Sequence, residues 1–125
     1  MSKRKAVIFD LNNTLRKESG KPRHDVLKKA QKEAKEEQVI VLSGESNKDF
    51  SQARDWLNNH HLTDAKLDMR PETDHSHDDS EKEHLLEKHI SRQFKVTKAY
   101  DDKKSNVKMF KKHGIKAKKV CLMRY

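Results

Sequence analysis

Ala6-Val7-Ile8-Phe9-Asp10-Leu11-Asn12-Asn13-Thr14-Leu15 decides how this chain is read. Its first four residues are apolar without alternation, as in a strand covered on both faces within a parallel sheet. The run ends on a carboxylate, Asp10, and passes into a tight polar turn. In open α/β sheets ligands bind outside the carboxyl ends of the strands, so Asp10 stands where chemistry is done. An aspartyl nucleophile suits that place.

Working outward, apolar runs alternate with helical periodicities along the whole length, which predicts a doubly wound parallel sheet of five strands with four helices. The first strand covers about residues 5–10, and Pro22 suits the first turn of a helix running to about Gln38, with Val26, Leu27, Ala30 and Ala34 as its buried stripe. Val39–Leu42 is a second buried strand that Ser43-Gly44 ends. A capped start at Ser46–Asp49 opens a helix whose Phe50, Ala53, Trp56 and Leu57 recur on one face and are expected in the core. Ala65–Arg70 is the third strand. The polar stretch from Pro71 to Asp79 is a loop of functional length. Its His75, His77, Asp78 and Asp79 suit either a transition-metal site or, the favoured reading, a solvated surface. Ser80–Phe94 is a helix with Leu85, Leu86 and Ile90 inward, Val96–Tyr100 a strand, Lys103–His113 a helix stopped by Gly114, and 118–123 the last strand.

The chain has 125 residues, enough for one domain spanning 1–125 but not for a catalytic domain with a sizeable lid. Its apolar share is low at 32% and its charged share high at 39%, so the core must come from short dense strands and one face of each helix. The net charge of +9 favours polyanions, nucleic acid first among them, although a lysine-rich solvated surface gives the same sum. The single Cys121 lies in an apolar run and is expected in the core, which excludes an intramolecular disulfide and suits a reducing compartment. The basic opening, Met1–Lys5, runs straight into a short strand, so neither a signal peptide nor a membrane span is expected, and the protein is expected in the cytoplasm.

Asp10, Ser43, Arg70 and Asp101 all fall at predicted strand ends on one edge of the sheet. Phosphoryl transfer through an aspartyl phosphate needs such a set: a nucleophile, a metal and donors around the phosphoryl oxygens. Mg²⁺ takes hard oxygen ligands and commonly one or two carboxylates, a role that Asp10 and Asp101 fit with Asp102 in support.

These residues and their order resemble the four motifs of the haloacid dehalogenase-like (HAD) phosphohydrolase superfamily. The resemblance implies a Rossmann-like three-layer α/β/α sandwich with the nucleophile strand central. It implies Asp10 as nucleophile, Thr14 as the residue ordering its loop, Ser43 with Gly44 as the phosphate-binding pair, and Lys82 as the lysine that neutralises nucleophile and phosphate. Asp101 and Asp102 match the acidic metal-binding pair. Leu67–Pro71, Asp78–Glu83 through Ile90, and Asp101–Val107 with Met109 and Gly114 are similar to the 3′-phosphatase domain of phage polynucleotide kinase. That similarity implies phosphorylated DNA or RNA ends or nucleotides as substrates, Arg70 and Lys21 as substrate contacts, Mg²⁺ as cofactor, a phage origin in a host cytoplasm, and a homo-oligomer closing the site.

Departures from the pattern bear on activity. Asn13 replaces the usual glycine, which an asparagine tolerates because it enters positive φ more readily than most residues. Asn12 occupies the general-acid position, and an amide can neither protonate a leaving alkoxide nor activate water, a contribution of about 10²–10⁴-fold. Its backbone carbonyl, the metal ligand that the resemblance implies here, is unaffected. Glu45 stands where the related phosphatases carry an arginine, and an acid facing a phosphate would repel it. Two readings follow: a Mg²⁺-dependent phosphohydrolase with its acid replaced, or an impaired relative that binds nucleic acid or protein through a preserved pocket.

Overall fold

The computed structural model describes residues 3–70 and 78–120. Five strands form one all-parallel sheet in the order β3-β2-β1-β4-β5, with β1 (Arg4–Phe9) in the centre. Between β1 and β2 (Gln38–Ser46) lies α1 (His24–Glu33); between β2 and β3 (Lys66–Arg70) lies α2 (Phe50–Asn59). The return to β4 (Phe94–Asp101) is helical throughout its described part: α3 (Asp78–Leu85), a π-helical turn at Leu86–Ile90, and the short α4 (Ser91–Gln93). Finally α5 (Lys104–Lys112) precedes the edge strand β5 (Lys116–Lys119).

The unbroken apolar run of β1 is explained by two cores. Val7 and Phe9 face α1 and α2, packing with Val26, Leu27, Ala30, Ala53 and Leu57. Ala6 and Ile8 face the other layer, against Leu85, Leu86, Ile90, Val107 and Phe110. Alternate residues of one strand thus fill opposite layers, which makes the three-layer sandwich.

Several boundaries differ from the sequence expectation, each for a local reason. The first helix starts at His24, not Pro22, because the preceding chain folds back on itself: Arg16 and Pro22 form an antiparallel bridge, and the Arg23 amide donates to the Leu15 carbonyl. That helix also ends early, at Glu33, in a series of turns. Ser43-Gly44 does not end β2; pairing with β3 continues to Ser46 after a register shift between Ser43 and Ser46. Phe50 is 38% exposed, since the buried stripe of α2 begins one turn later, at Ala53 and Leu57. The last strand begins earlier than expected, at Lys116; among the described residues it pairs with β4 alone and turns only Ala117 inward, and positions 121–123 of the expected strand lie outside the described residues. The expectations for Cys121 and for His75, His77, Asp78 and Asp79 concern side chains outside the described residues. Among the described residues no helix is long and apolar enough to cross a membrane.

Candidate functional site

Because β1 is central, its end is flanked by the ends of β2 and β4, and the candidate residues converge there. Asp10 follows β1 directly, and its amide donates to the Tyr100 carbonyl of β4 (2.9 Å), which fixes it beside Asp101. The turn after it is tight: the Leu15 and Arg16 amides both donate to the Leu11 carbonyl, at 3.0 and 2.9 Å. Asn13 sits at φ 63°, the left-handed conformation expected of the residue replacing glycine. This turn brings Thr14 back over the carboxylate, and its Oγ1 donates to Asp10 Oδ2 (3.0 Å).

From the far layer, α3 sends in Lys82. Its Nζ donates to Asp10 Oδ1 (2.7 Å) and to Asp101 Oδ2 (2.8 Å), and its side chain is only 1% exposed. Asp101 is further held by the Lys103 amide on Oδ1 (3.0 Å) and by Asn106 Nδ2 on Oδ2 (3.1 Å). Carboxylate oxygens of Asp10, Asp101 and Asp102 all lie within 4.8 Å of one another. Burial pushes the Asp10 carboxyl up to about 8; Lys82 opposes that shift, while Asp101 and a hydrogen bond with Asp102 add to it. Ionising all three carboxyls against one ammonium leaves a surplus of negative charge that a hard divalent cation would relieve, so this donor set fits Mg²⁺.

The other expected residues are placed less centrally. Ser43 is buried at the end of β2, where its hydroxyl accepts the Glu45 amide (3.1 Å) and still has its own proton to donate. Gly44 follows within the irregular stretch of β2. Arg70 ends β3, two strands from Asp10. Lys21 is exposed on the loop before α1, and among the described residues its side chain bonds to none of the cluster. Asn12 turns to Arg16, whose Nη2 donates to its Oδ1 (2.7 Å).

Two participants went unassigned in the sequence. Asn106 has an orphan's pattern there, a polar residue beside the apolar stripe of Val107, Met109 and Phe110, and that placement was the available signal. Arg16 gave none. It meets Glu45, 29 residues away, with Nη2 at 3.1 and 3.2 Å from the two carboxylate oxygens, so Glu45 is not a bare acid.

The family model for the polynucleotide kinase PNKP phosphatase domain matches residues 3–122. Among solved structures, a chain of the Pnkp1/Rnl/Hen1 complex superposes with a TM-score of 0.89 at 23% identity, covering 100% of this chain and 48% of that one. A chain of the Pnkp1/Rnl/Hen1 RNA repair complex gives 0.87 at 22% identity, covering 98% and 44%. The present chain thus spans about half the length of these relatives. No curated protein matches its sequence.

Proposed function

Since the chain belongs to the family of the PNKP phosphatase domain and has that HAD-like fold, we propose that it is a phosphohydrolase acting on phosphorylated nucleic-acid ends or nucleotides. The observation that carries this reading is the Asp10 carboxylate at the end of the central strand, oriented by Thr14 and Lys82 within one charged cluster. A bond forms from an Asp10 carboxylate oxygen to phosphorus as the bond from phosphorus to the leaving oxygen breaks; water then cleaves the aspartyl phosphate. Lys82 lowers the repulsion between nucleophile and phosphate, and the Ser43 hydroxyl, with Arg70 and Lys21 further out, binds the substrate. A divalent cation held by Asp10, Asp101, Asp102 and the Asn12 carbonyl would neutralise phosphoryl charge.

Asn12 favours a second reading, a binding module with a preserved phosphate pocket, because the amide cannot take part in proton transfer. Phosphate release from a 3′-phosphorylated oligonucleotide and from an aryl phosphate, with and without Mg²⁺, separates the two. Turnover is expected to vanish in Asp10→Asn and to rise by about 10²–10⁴-fold for the oligonucleotide in Asn12→Asp. Release that persists undiminished in Asp10→Asn sinks the phosphohydrolase assignment. Silence in the parent chain followed by activity in Asn12→Asp selects the binding module.

A further inference from the structure

Two residues beyond Asp10, the side chain of Asn12 is held in one orientation. Arg16 Nη2 donates to its Oδ1 (2.7 Å), and the backbones of the two residues are bridged across the turn. Arg16 is itself anchored: the same Nη2 meets both oxygens of Glu45, and the guanidinium lies 6.0 Å from the ring centre of Trp56. Trp56 is fixed in turn, with its Nε1 donating to the Gly20 carbonyl (2.7 Å) and its ring stacked on His60. A brace thus runs from Glu45 and Trp56 through Arg16 to one amide oxygen.

A guanidinium carries donors only, so the Asn12 oxygen must face it and the amide NH₂ must turn away. Among the described residues nothing accepts a hydrogen bond from that NH₂. The inner side of Asp10 is closed by Lys82, Asp101 and Asn106, all fully buried. In phosphoryl transfer the attacking and leaving oxygens lie roughly in line. An oxygen leaving a phosphate at Asp10 therefore departs outward, where the half-buried Asn12 lines a cavity of about 520 Å³.

We propose that Arg16 is a positioning residue: by fixing the Asn12 oxygen it presents the amide NH₂ to the leaving oxygen, and the site thereby selects leaving groups that depart without a proton. The substrates of that class are aryl phosphates, acyl phosphates and phosphoric anhydrides. As an Asp10 oxygen bonds to phosphorus, the bond from phosphorus to the leaving oxygen breaks and its electron pair stays on that oxygen. The NH₂ stabilises the growing negative charge by hydrogen bonding and transfers nothing; the anion takes its proton from water after release. A sugar alkoxide, far more basic, gains too little from such a bond to leave readily. The inference rests on the phosphohydrolase reading and ranks substrates within it, placing the terminal anhydride of a nucleotide ahead of the ester at a strand end. Glu45 then serves as the holder of Arg16.

Measuring kcat/KM with Mg²⁺ for aryl phosphates that run from dinitrophenyl to unsubstituted phenyl phosphate tests this, because that ratio reports the transition state of the first transfer. In the parent chain kcat/KM should fall steeply as the leaving group becomes more basic, and Asn12→Asp, which can give a proton, should flatten the dependence. Asn12→Ala keeps the backbone carbonyl and should lose about 10²-fold, most with the most basic leaving groups. Arg16→Met should lose about tenfold in the same pattern, and nothing further when added to Asn12→Ala, because its effect passes through the amide. If Arg16→Met does not fold, Glu45→Gln, which loosens the same brace, should steepen the dependence in its place. An Arg16→Met loss that is equal for all leaving groups, or undiminished in the Asn12→Ala background, would make Arg16 a brace of the loop only and overturn the inference. So would a parent dependence as shallow as that of Asn12→Asp, or a parent silent on dinitrophenyl phosphate. Turnover undiminished in Asp10→Asn would overturn the phosphohydrolase reading itself, whereas failure of the inference alone leaves Asp10 essential.

Discussion

Between Asp10 and Asp101, the Lys82 ammonium bridges two buried carboxylates. Removing one partner of such a cluster leaves charge buried without compensation, at a cost of about 3–5 kcal/mol. Lys82→Met is therefore expected to lower stability by about that amount in urea denaturation, and Mg²⁺ to return part of it by neutralising the same oxygens. An unchanged denaturation midpoint would contradict the placement of Lys82. Asp10, Thr14, Lys82 and Asp101 come together in the structure; the two aspartates stood out in the sequence as strand ends, and Thr14 and Lys82 through the family resemblance. Arg16 did not stand out, because its meaning depends on Glu45, which only the folded loop brings near. The same pairing changes the reading of Glu45.

At the scale of elements, α3 and α5 are joined at the surface where Glu83 meets His113 Nε2 (2.7 Å) and Lys112 Nζ (3.5 Å). The hydrogen bond from His113, aided by the Lys112 charge, holds the Glu83 carboxyl below its ordinary 4.5. A carboxyl depressed by folding contributes stability above its unfolded value and loses it as pH falls through the folded one. The stability gap between the parent chain and Glu83→Gln should thus be open at neutral pH and close as pH falls below the ordinary carboxyl range. A gap constant across that range would mean that the pair contributes nothing through charge. The succession of strands and helices and the buried stripes of Val26, Leu27 and Ala30 and of Leu85, Leu86 and Ile90 were legible from apolar periodicity, whereas the central place of β1 came only from the family resemblance. The start of α1 was not: Pro22 suits a first helical turn, but the bridge from Arg16 captures it for the loop. Likewise β2 continues past Ser43-Gly44 because β3 remains beside it to pair with, a long-range fact that no local signal carries.

Across the molecule, a parallel sheet places the end of its central strand between two neighbours, so one charged cluster can be assembled from β1, β4 and α3 with the loops between them. The net charge of +9 gives the chain as a whole a field that favours polyanions. The chain is a family member in which the Asp10, Asp101 and Asp102 carboxyls and the Lys82 ammonium are assembled, with an amide at Asn12. Under the proposed mechanism such a site forms its covalent intermediate more readily than it hydrolyses it, because Asn12 gives attacking water no base. Acid-quenched mass spectrometry after incubation with an activated aryl phosphate and Mg²⁺ tests this account most directly. It predicts a phosphoryl group on the peptide containing Asp10, accumulating in the parent chain, reduced in Asn12→Asp and absent in Asp10→Asn. Phosphate release with Asp10 unmodified throughout, and undiminished in Asp10→Asn, would contradict it.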